Sequence, residues 1–512
     1  GGQRSDSRGG EGMNATDDRR LAAACLLGSF VGTQAPPWML RAVRDGLGGV
    51  LLFAQNVVDD VQVAELCEQL RESRADVVIA IDEEGGDVTR LDAARGSDTP
   101  CPAAFGFVDD VRLTAEAYET LGRRVRGLGI DLTLAPCADI NSNPRNPIIG
   151  VRSFGTTPDG VSRHVVAAVE GLHRGGVSVS AKHFPGHGDT SADTHLGPAR
   201  LTATMATLNG RELAPFAASI DAGVDAILTA HLVADAVDVA PVSLSASWIE
   251  HLRGAMEFDG VIITDALDMD AVAEGRGTAG VADAAVRALR AGADFLCLGS
   301  NFDDSMTNTV IDLVVAALDD GRLERTRLER SRERIVTLRR PAPSPIASPP
   351  TGSDALAAQL VAERAIVIDG ALPAGPFAVL ECRPPGSMAC FNVCWGIAEQ
   401  LGERGWPAAL VTESDPIEPA CADLLDAAGE MPVLIVVRDA CVHHWQTAVI
   451  DAVVGARPNS VVVVEFGWPS VRPTGCAAYV VTHGAARSSA QAAIDRLVVP
   501  TLVAPSLVTR EP

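Results

Sequence analysis

Fourteen residues, Lys182-His183-Phe184-Pro185-Gly186-His187-Gly188-Asp189-Thr190-Ser191-Ala192-Asp193-Thr194-His195, hold one lysine, three histidines and two aspartates. They follow an apolar, strand-like stretch, Gly176 to Ala181. Groups that titrate near neutral pH, crowded onto a Gly/Pro loop at a strand's C-terminal end, are equipped for proton transfer. A core strand would bury them at high cost, and a solvated loop has little use for three imidazoles.

Two other segments have the same form. In Val261-Ile262-Ile263-Thr264-Asp265 an apolar strand ends in a carboxylate, Asp265. That residue is either a catalytic group at a strand mouth or the N-cap of the next helix. In Val78-Ile79-Ala80-Ile81-Asp82-Glu83-Glu84-Gly85-Gly86-Asp87-Val88-Thr89-Arg90, Asp82 follows a strand and Arg90 lies a turn or two beyond it. A carboxylate beside a guanidinium can hold sugar hydroxyls through paired hydrogen bonds, or can form a plain surface salt bridge. Arg152 lies in a loop after the strand that leads to Asp139.

These groups need a frame. Apolar runs suited to strands occur at 49–53, 77–81, 132–136, 177–181, 226–229, 261–264 and 295–298, with amphipathic helical windows between them. Strand–helix alternation over about 320 residues predicts a parallel sheet, and a (β/α)8 barrel of the TIM type is the common solution at that size. Polar residues at successive strand ends (Asp82, Asp139, Lys182, His231, Asp265, Ser300) favour the barrel over an open sheet. Five prolines between 341 and 350 mark a linker, placed at 339–355. Further strands at 377–381, 409–412, 433–437, 461–465 and 478–481 predict a smaller α/β domain over 356–512, after a barrel over 19–338. That second domain has no Gly-rich phosphate loop, and a structural or dimerising role is expected for it.

The 512 residues are 47% hydrophobic and 21% charged, a composition for a folded protein of two domains. A net charge of −24 repels nucleic acid and anionic lipid, so neither is an expected partner. The 11 cysteines form no zinc pattern and suit a reducing compartment. Residues 1–18 are polar, read as a disordered leader and lack the apolar core of a signal peptide, so a cytoplasmic location is expected.

The set Asp82-x-Glu84-Gly85-Gly86, Ile149-Gly150-x-Arg152-Ser153-Phe154, Lys182-His183-Phe184-Pro185-Gly186-His187-Gly188-Asp189 with Asp193-x-His195, and Thr264-Asp265 resembles glycoside hydrolase family 3, in its β-N-acetylglucosaminidase-like branch. The similarity runs from about Ala22 to Val336, and more loosely into an α/β sandwich domain. The resemblance implies that Asp265 is the nucleophile, His195 the acid/base and Asp193 its dyad partner. It also implies that Asp82, Arg90, Arg152, Lys182 and His183 hold the hydroxyls of the terminal sugar, with Asp139 and His231 in matching regions. Glu83 stands where the family commonly has Gln. No cofactor is implied. The substrate implied is a β-linked N-acetylglucosaminide or glucoside, cut from a chain end. An Asp two residues from a His can accept from one ring nitrogen and aim the other, much as in a Ser-His-Asp triad.

Three other readings remain open in the sequence. A neutral His, unlike an ionised carboxylate, does not repel an incoming anion, so inorganic phosphate could replace water and release a sugar 1-phosphate. His183, His187, Asp189, Asp193 and His195 could instead ligate a metal, although Pro185, Gly186 and Gly188 break the helix that an i, i+4 His pair needs. A non-catalytic sugar-binding protein would be favoured had Asp265 or His195 been missing. Oligomeric state is not legible in the sequence.

Overall fold

The computed structural model of the chain describes residues 8–192, 197, 199–339, 355–387, 389–390 and 393–498. Asp193 and His195, nearly all of the Pro-rich linker and the first seven residues lie outside the described set.

Eight parallel strands form the first sheet: β1 (Leu26–Gly28), β2 (Gly49–Leu52), β3 (Val78–Ile81), β4 (Leu132–Thr133), β5 (Ser178–Phe184), β6 (Ala226–Thr229), β7 (Val261–Thr264) and β8 (Leu296–Cys297). They pair in the order β8-β1-β2-β3-β4-β5-β6-β7, and a parallel bridge from Ile263 to Phe295 joins the two ends. The sheet is thus the expected TIM-type barrel. Its strands carry Val, Ile, Leu and Ala on both sides because both faces are covered, one by the barrel interior and one by helices.

Seven strands fall where the apolar runs put them. The eighth, β1, is three residues long and follows directly on the helix Arg8–Ala24, so no turn signal separates it. That helix also enters the segment expected to be a disordered leader. Its last turn places Leu21 to Ala24 in the core, and extending a helix from an anchored turn costs little per residue. The second difference is at β5, which continues through Phe184, so that Lys182 and His183 lie on the strand itself.

The strands' N-terminal ends are closed by ion pairs. Asp294 is fully buried and faces Arg253, Arg327 and Arg334, and its Oδ1 also accepts from Ser331. Asp131 likewise faces Arg71 and Arg126 at 2.8 and 2.7 Å.

The second sheet has six strands, β9 (Val367–Gly370), β10 (Ala378–Arg383), β11 (Ala408–Thr412), β12 (Val433–Val437), β13 (Val461–Glu465) and β14 (Ala478–Val481), in the order β9-β14-β13-β12-β10-β11. All pairs are parallel except β9 with β14. Separate apolar clusters fill its two sides, giving the α/β sandwich. β9 was not expected from the sequence. It is an antiparallel edge strand, largely exposed, and its apolar run Ala365-Ile366-Val367-Ile368 follows directly on the helix Leu356–Arg364 with no turn signal between them.

The second domain docks over the loop that follows β3. Cys394 N donates to Ala93 O (2.8 Å), Ala485 N to Asp87 Oδ1 (2.8 Å), and Arg438 pairs with Asp87 at 2.7 Å. All eleven cysteines are free thiols, most of them buried. No helix among the described residues is long and apolar enough to cross a membrane.

Replacing Asp294 by Ala leaves several guanidinium groups facing an empty, low-dielectric site. The expected cost is about 3 kcal/mol or more, read as a lowered denaturation midpoint, with KM of the folded fraction unchanged.

Candidate active site

Barrel strands deliver the chemistry-bearing residues to one end. Asp82 follows β3, Lys182 and His183 end β5, Asp265 follows β7, and Arg152 sits on the turn Gly150–Arg152 beyond β4. Asp82 Oδ2 accepts from Arg90 Nη2 at 2.7 Å, and its Oδ1 accepts from Lys182 Nζ. Lys182 Nζ also lies 2.5 Å from Glu84 Oε1. Glu84 in turn takes a two-pronged contact from Arg152, at 2.7 and 3.0 Å. Two carboxylates and three cations thus form one closed cluster.

Burial works against every charge in it. It would raise the carboxyl groups, yet Lys182 and Arg90 hold Asp82 well below the usual carboxylate range, and Arg152 and Lys182 lower Glu84 from its ordinary value. Burial would lower Lys182, but Asp82 and Glu84 keep it above its ordinary value. The side chain of Asp82 is still 17% exposed, against 3% for Lys182 and 3% for Arg90, so its carboxylate is the part of this cluster that opens to a ligand.

Asp139 is built differently. It is wholly buried and accepts from four donors: His183 N, His183 Nδ1 at 2.7 Å, His187 N and the Cys137 thiol. With Nδ1–H of His183 turned to Asp139, Nε2 is left to accept from Arg152 Nη2 at 3.2 Å. Burial opposes the charge on Asp139, and the two histidines beside it keep its carboxyl low. Asp139 therefore orients His183 from behind and is itself enclosed. Cys137, Asp139 and His183 also lie close enough together to resemble a metal cage, all within 4.8 Å. In this structure the three groups are joined by hydrogen bonds, from the Cys137 thiol and from His183 Nδ1 to the carboxylate of Asp139.

His231 has a similar supporting place. It is fully buried, with Nδ1 2.6 Å from Ser243 Oγ and Nε2 2.9 Å from the carbonyl of Ala266, the residue after Asp265. Asp265 itself is half-buried at the end of β7. Its backbone N–H donates to Thr229 O at 3.0 Å, and its Oδ1 accepts from Ala266 N at 2.8 Å. The next helix begins at Asp270 with Met269 as its N-cap, so Asp265 caps no helix.

The loop beyond β5 is fixed at its base. Asn146 Nδ2 donates to His187 O and Thr190 O, and the hydroxyl of Thr190 lies 2.6 Å from His187 Nδ1. At Gly188 a Cβ would stand 1.7 Å from the carbonyl oxygen of Ile140, so only glycine lets the two loops meet. Burial lowers His187 to about 4 and keeps the ring neutral, although Asp139 and Asp265 pull the other way. Glu84 is a site residue to which the sequence pattern assigned no role, and His187, weighed there only as a metal ligand, takes a supporting place. The signal for Glu84 was available: two residues beyond Asp82 at a strand end, it shares a face with it.

The glycosyl hydrolase family 3 N terminal domain model matches residues 41–338, and the chain belongs to that family. A β-hexosaminidase of Xylella fastidiosa (strain M23) is 37% identical over 276 residues, covering 52% of this chain and 80% of that protein. β-Hexosaminidase A of Pseudoalteromonas piscicida is 30% identical over 368 residues, 66% of this chain and 59% of that protein. Among solved structures, a glycoside hydrolase family 3 β-N-acetylglucosaminidase from Paenibacillus sp. str. FPU-7 superposes with a TM-score of 0.81 at 29% identity, covering 94% of this chain and 96% of that one. The β-glucoside phosphorylase BglX, at 19% identity and a TM-score of 0.73, shares the fold.

Glu83 faces away from the cluster. Its Oε2 accepts from Arg90 N and Leu91 N, while burial pushes its carboxyl up to about 7. A group raised in the folded state loses stability as pH climbs from the unfolded value of 4.5 towards 7, because only the unfolded chain can then release the proton freely. Glu83→Gln keeps an acceptor for both N–H groups and removes that loss. The variant is expected to melt at higher temperature than the parent at pH 8.5, by roughly 1–3 kcal/mol, and to match it near pH 5.

Proposed function

We propose that this chain is a retaining, exo-acting β-N-acetylglucosaminidase. In this reading Asp82, Arg90, Lys182, Arg152 and His183 bind the terminal sugar, Asp265 attacks its anomeric carbon, and His195, aimed by Asp193, protonates the leaving oxygen. The glycosyl–Asp265 ester then forms as the glycosidic bond breaks. His195, now deprotonated, takes a proton from the acceptor, which attacks the anomeric carbon and frees the carboxylate. Retention needs nucleophile and acid/base about 5 Å apart. The observation that carries the reading is the half-buried carboxylate of Asp265 at the mouth of β7, capping no helix and close enough to His187 for its charge to be felt there. The β-hexosaminidase name of the relatives supports the N-acetyl sugar.

Water is favoured over inorganic phosphate as acceptor. The potential phosphate ligands Arg90, Arg152 and Lys182 each face Asp82 or Glu84 within the buried cluster. Their three charges meet two carboxylates, and Asp265 offsets the remaining positive charge only while its carboxylate is free, so water is favoured on the β-hexosaminidase name of the relatives and not on charge.

The test is a product assay with 4-nitrophenyl β-N-acetylglucosaminide and the matching β-glucoside, with and without inorganic phosphate, followed by phosphorus NMR. Free N-acetylglucosamine at a phosphate-independent rate is expected. A sugar 1-phosphate in its place would make the enzyme a phosphorylase. Asp265→Ala is expected to lower kcat by about 10³-fold or more, and unchanged turnover would remove the mechanism.

A further inference from the structure

The loop carrying half of the sugar cluster is gripped by the other domain. It is a tight turn: Glu84 N donates to Val88 O at 3.0 Å, Gly85 and Val88 form a bridge, and Gly86 N donates to Thr99 O at 2.9 Å. Glu84 stands on the leg before the turn and Arg90 on the leg after it, with Asp87 between them. Gly86 adopts φ +64°, and a Cβ there would meet Cys101, so the turn lies flat on its neighbour.

Asp87 spends its carboxylate on the second domain. Oδ1 accepts from Ala485 N at 2.8 Å and faces the Cys101 thiol at 3.0 Å, and Oδ2 pairs with Arg438 Nη2 at 2.7 Å. The side chain of Asp87 is 1% exposed. Arg438, directly after β12, is held in turn. Its guanidinium sits 5.4 Å from the centre of the Trp395 ring, and Glu465 accepts from the N–H groups of Asp439 and Ala440 that follow it. A second hold lies alongside, where Arg90 Nη1 donates to the carbonyl of Ala389 at 2.9 Å.

We propose that the second domain is part of the sugar clamp: Arg438, acting on Asp87, holds the turn that sets Glu84 and Arg90, and so the Asp82–Lys182–Arg152 cluster, in its binding geometry. Asp87 and Arg438 are positioning residues and touch no substrate. The inference rests on reading that cluster as the sugar site. Only a few bonds separate Asp87 from either leg, so its displacement is passed directly to groups whose placement decides binding.

The test compares the parent with Arg438→Ala, Arg438→Lys and Arg487→Ala, the last removing an exposed interdomain pair with Asp98 that lies outside the turn. Steady-state kinetics on 4-nitrophenyl β-N-acetylglucosaminide are combined with hydrogen–deuterium exchange of peptides covering 82–92. Arg438→Ala is expected to raise KM about tenfold with kcat nearly unchanged, and to speed exchange in 82–92. Arg438→Lys, which keeps the charge, should recover part of both effects, and Arg487→Ala neither. A folded Arg438→Ala variant with parental KM, or with parental exchange in 82–92, would overturn the proposal. If the parent releases nitrophenol from no β-glycoside, the functional reading fails separately, and the exchange data still decide whether Arg438 holds the turn.

Discussion

Charge compensation in a nearly dry site is the constraint on which this active end is built. Asp82, Glu84, Lys182, Arg90 and Arg152 would each be costly to bury alone. Together they offset one another, and the geometry is excellent because each comes from a rigid piece of the barrel: the ends of β3 and β5, a tight turn and a short helical turn. A polar ligand meets hydrogen-bonding groups already in place and need not order them, so little of its binding energy goes into reorganisation.

The same requirement explains why further buried polar residues stand behind the cluster and its neighbours. Asp139 stands behind His183, His231 behind the loop of Asp265, and Asn146 beneath His187. None of these needs solvent. Each fixes a tautomer, a carbonyl or a backbone direction, which the clamp requires because an ion cluster slightly out of register keeps its desolvation cost and loses its attraction.

Much of the frame was legible in sequence because buried parallel strands leave continuous apolar runs, and seven of eight barrel strands left one. The two strands that escaped, β1 and β9, each begin within three residues of the end of a helix, so their short apolar runs merge with the apolar residues of that helix and no turn signal sets them apart. The site was legible in kind, since titratable residues followed strand ends. Depth was not. Spacing along a chain marks Asp82, Asp139, Lys182 and His231 alike as strand-end groups. Only packing separates an acid that opens to the mouth from one enclosed on every side. For the same reason the grip of the second domain could not be read from the sequence: Asp87 and Arg438 are 351 positions apart and neither belongs to a periodic pattern.

Asp139 carries a wider lesson. All its contacts are donors pointing inward, two backbone N–H groups, a ring N–H and a thiol. An amide of the same shape would turn its own N–H toward some of them, and the longer carboxylate of Glu would not reach them in the same geometry. Hydrogen-bond polarity and side-chain length together therefore restrict the position to one residue type. In a saturation scan such a site would stand out as sharply as a residue that makes or breaks bonds. Intolerance to substitution beside a reactive centre thus measures how completely a group is surrounded by one kind of partner, and by itself is no sign that the group takes part in bond making.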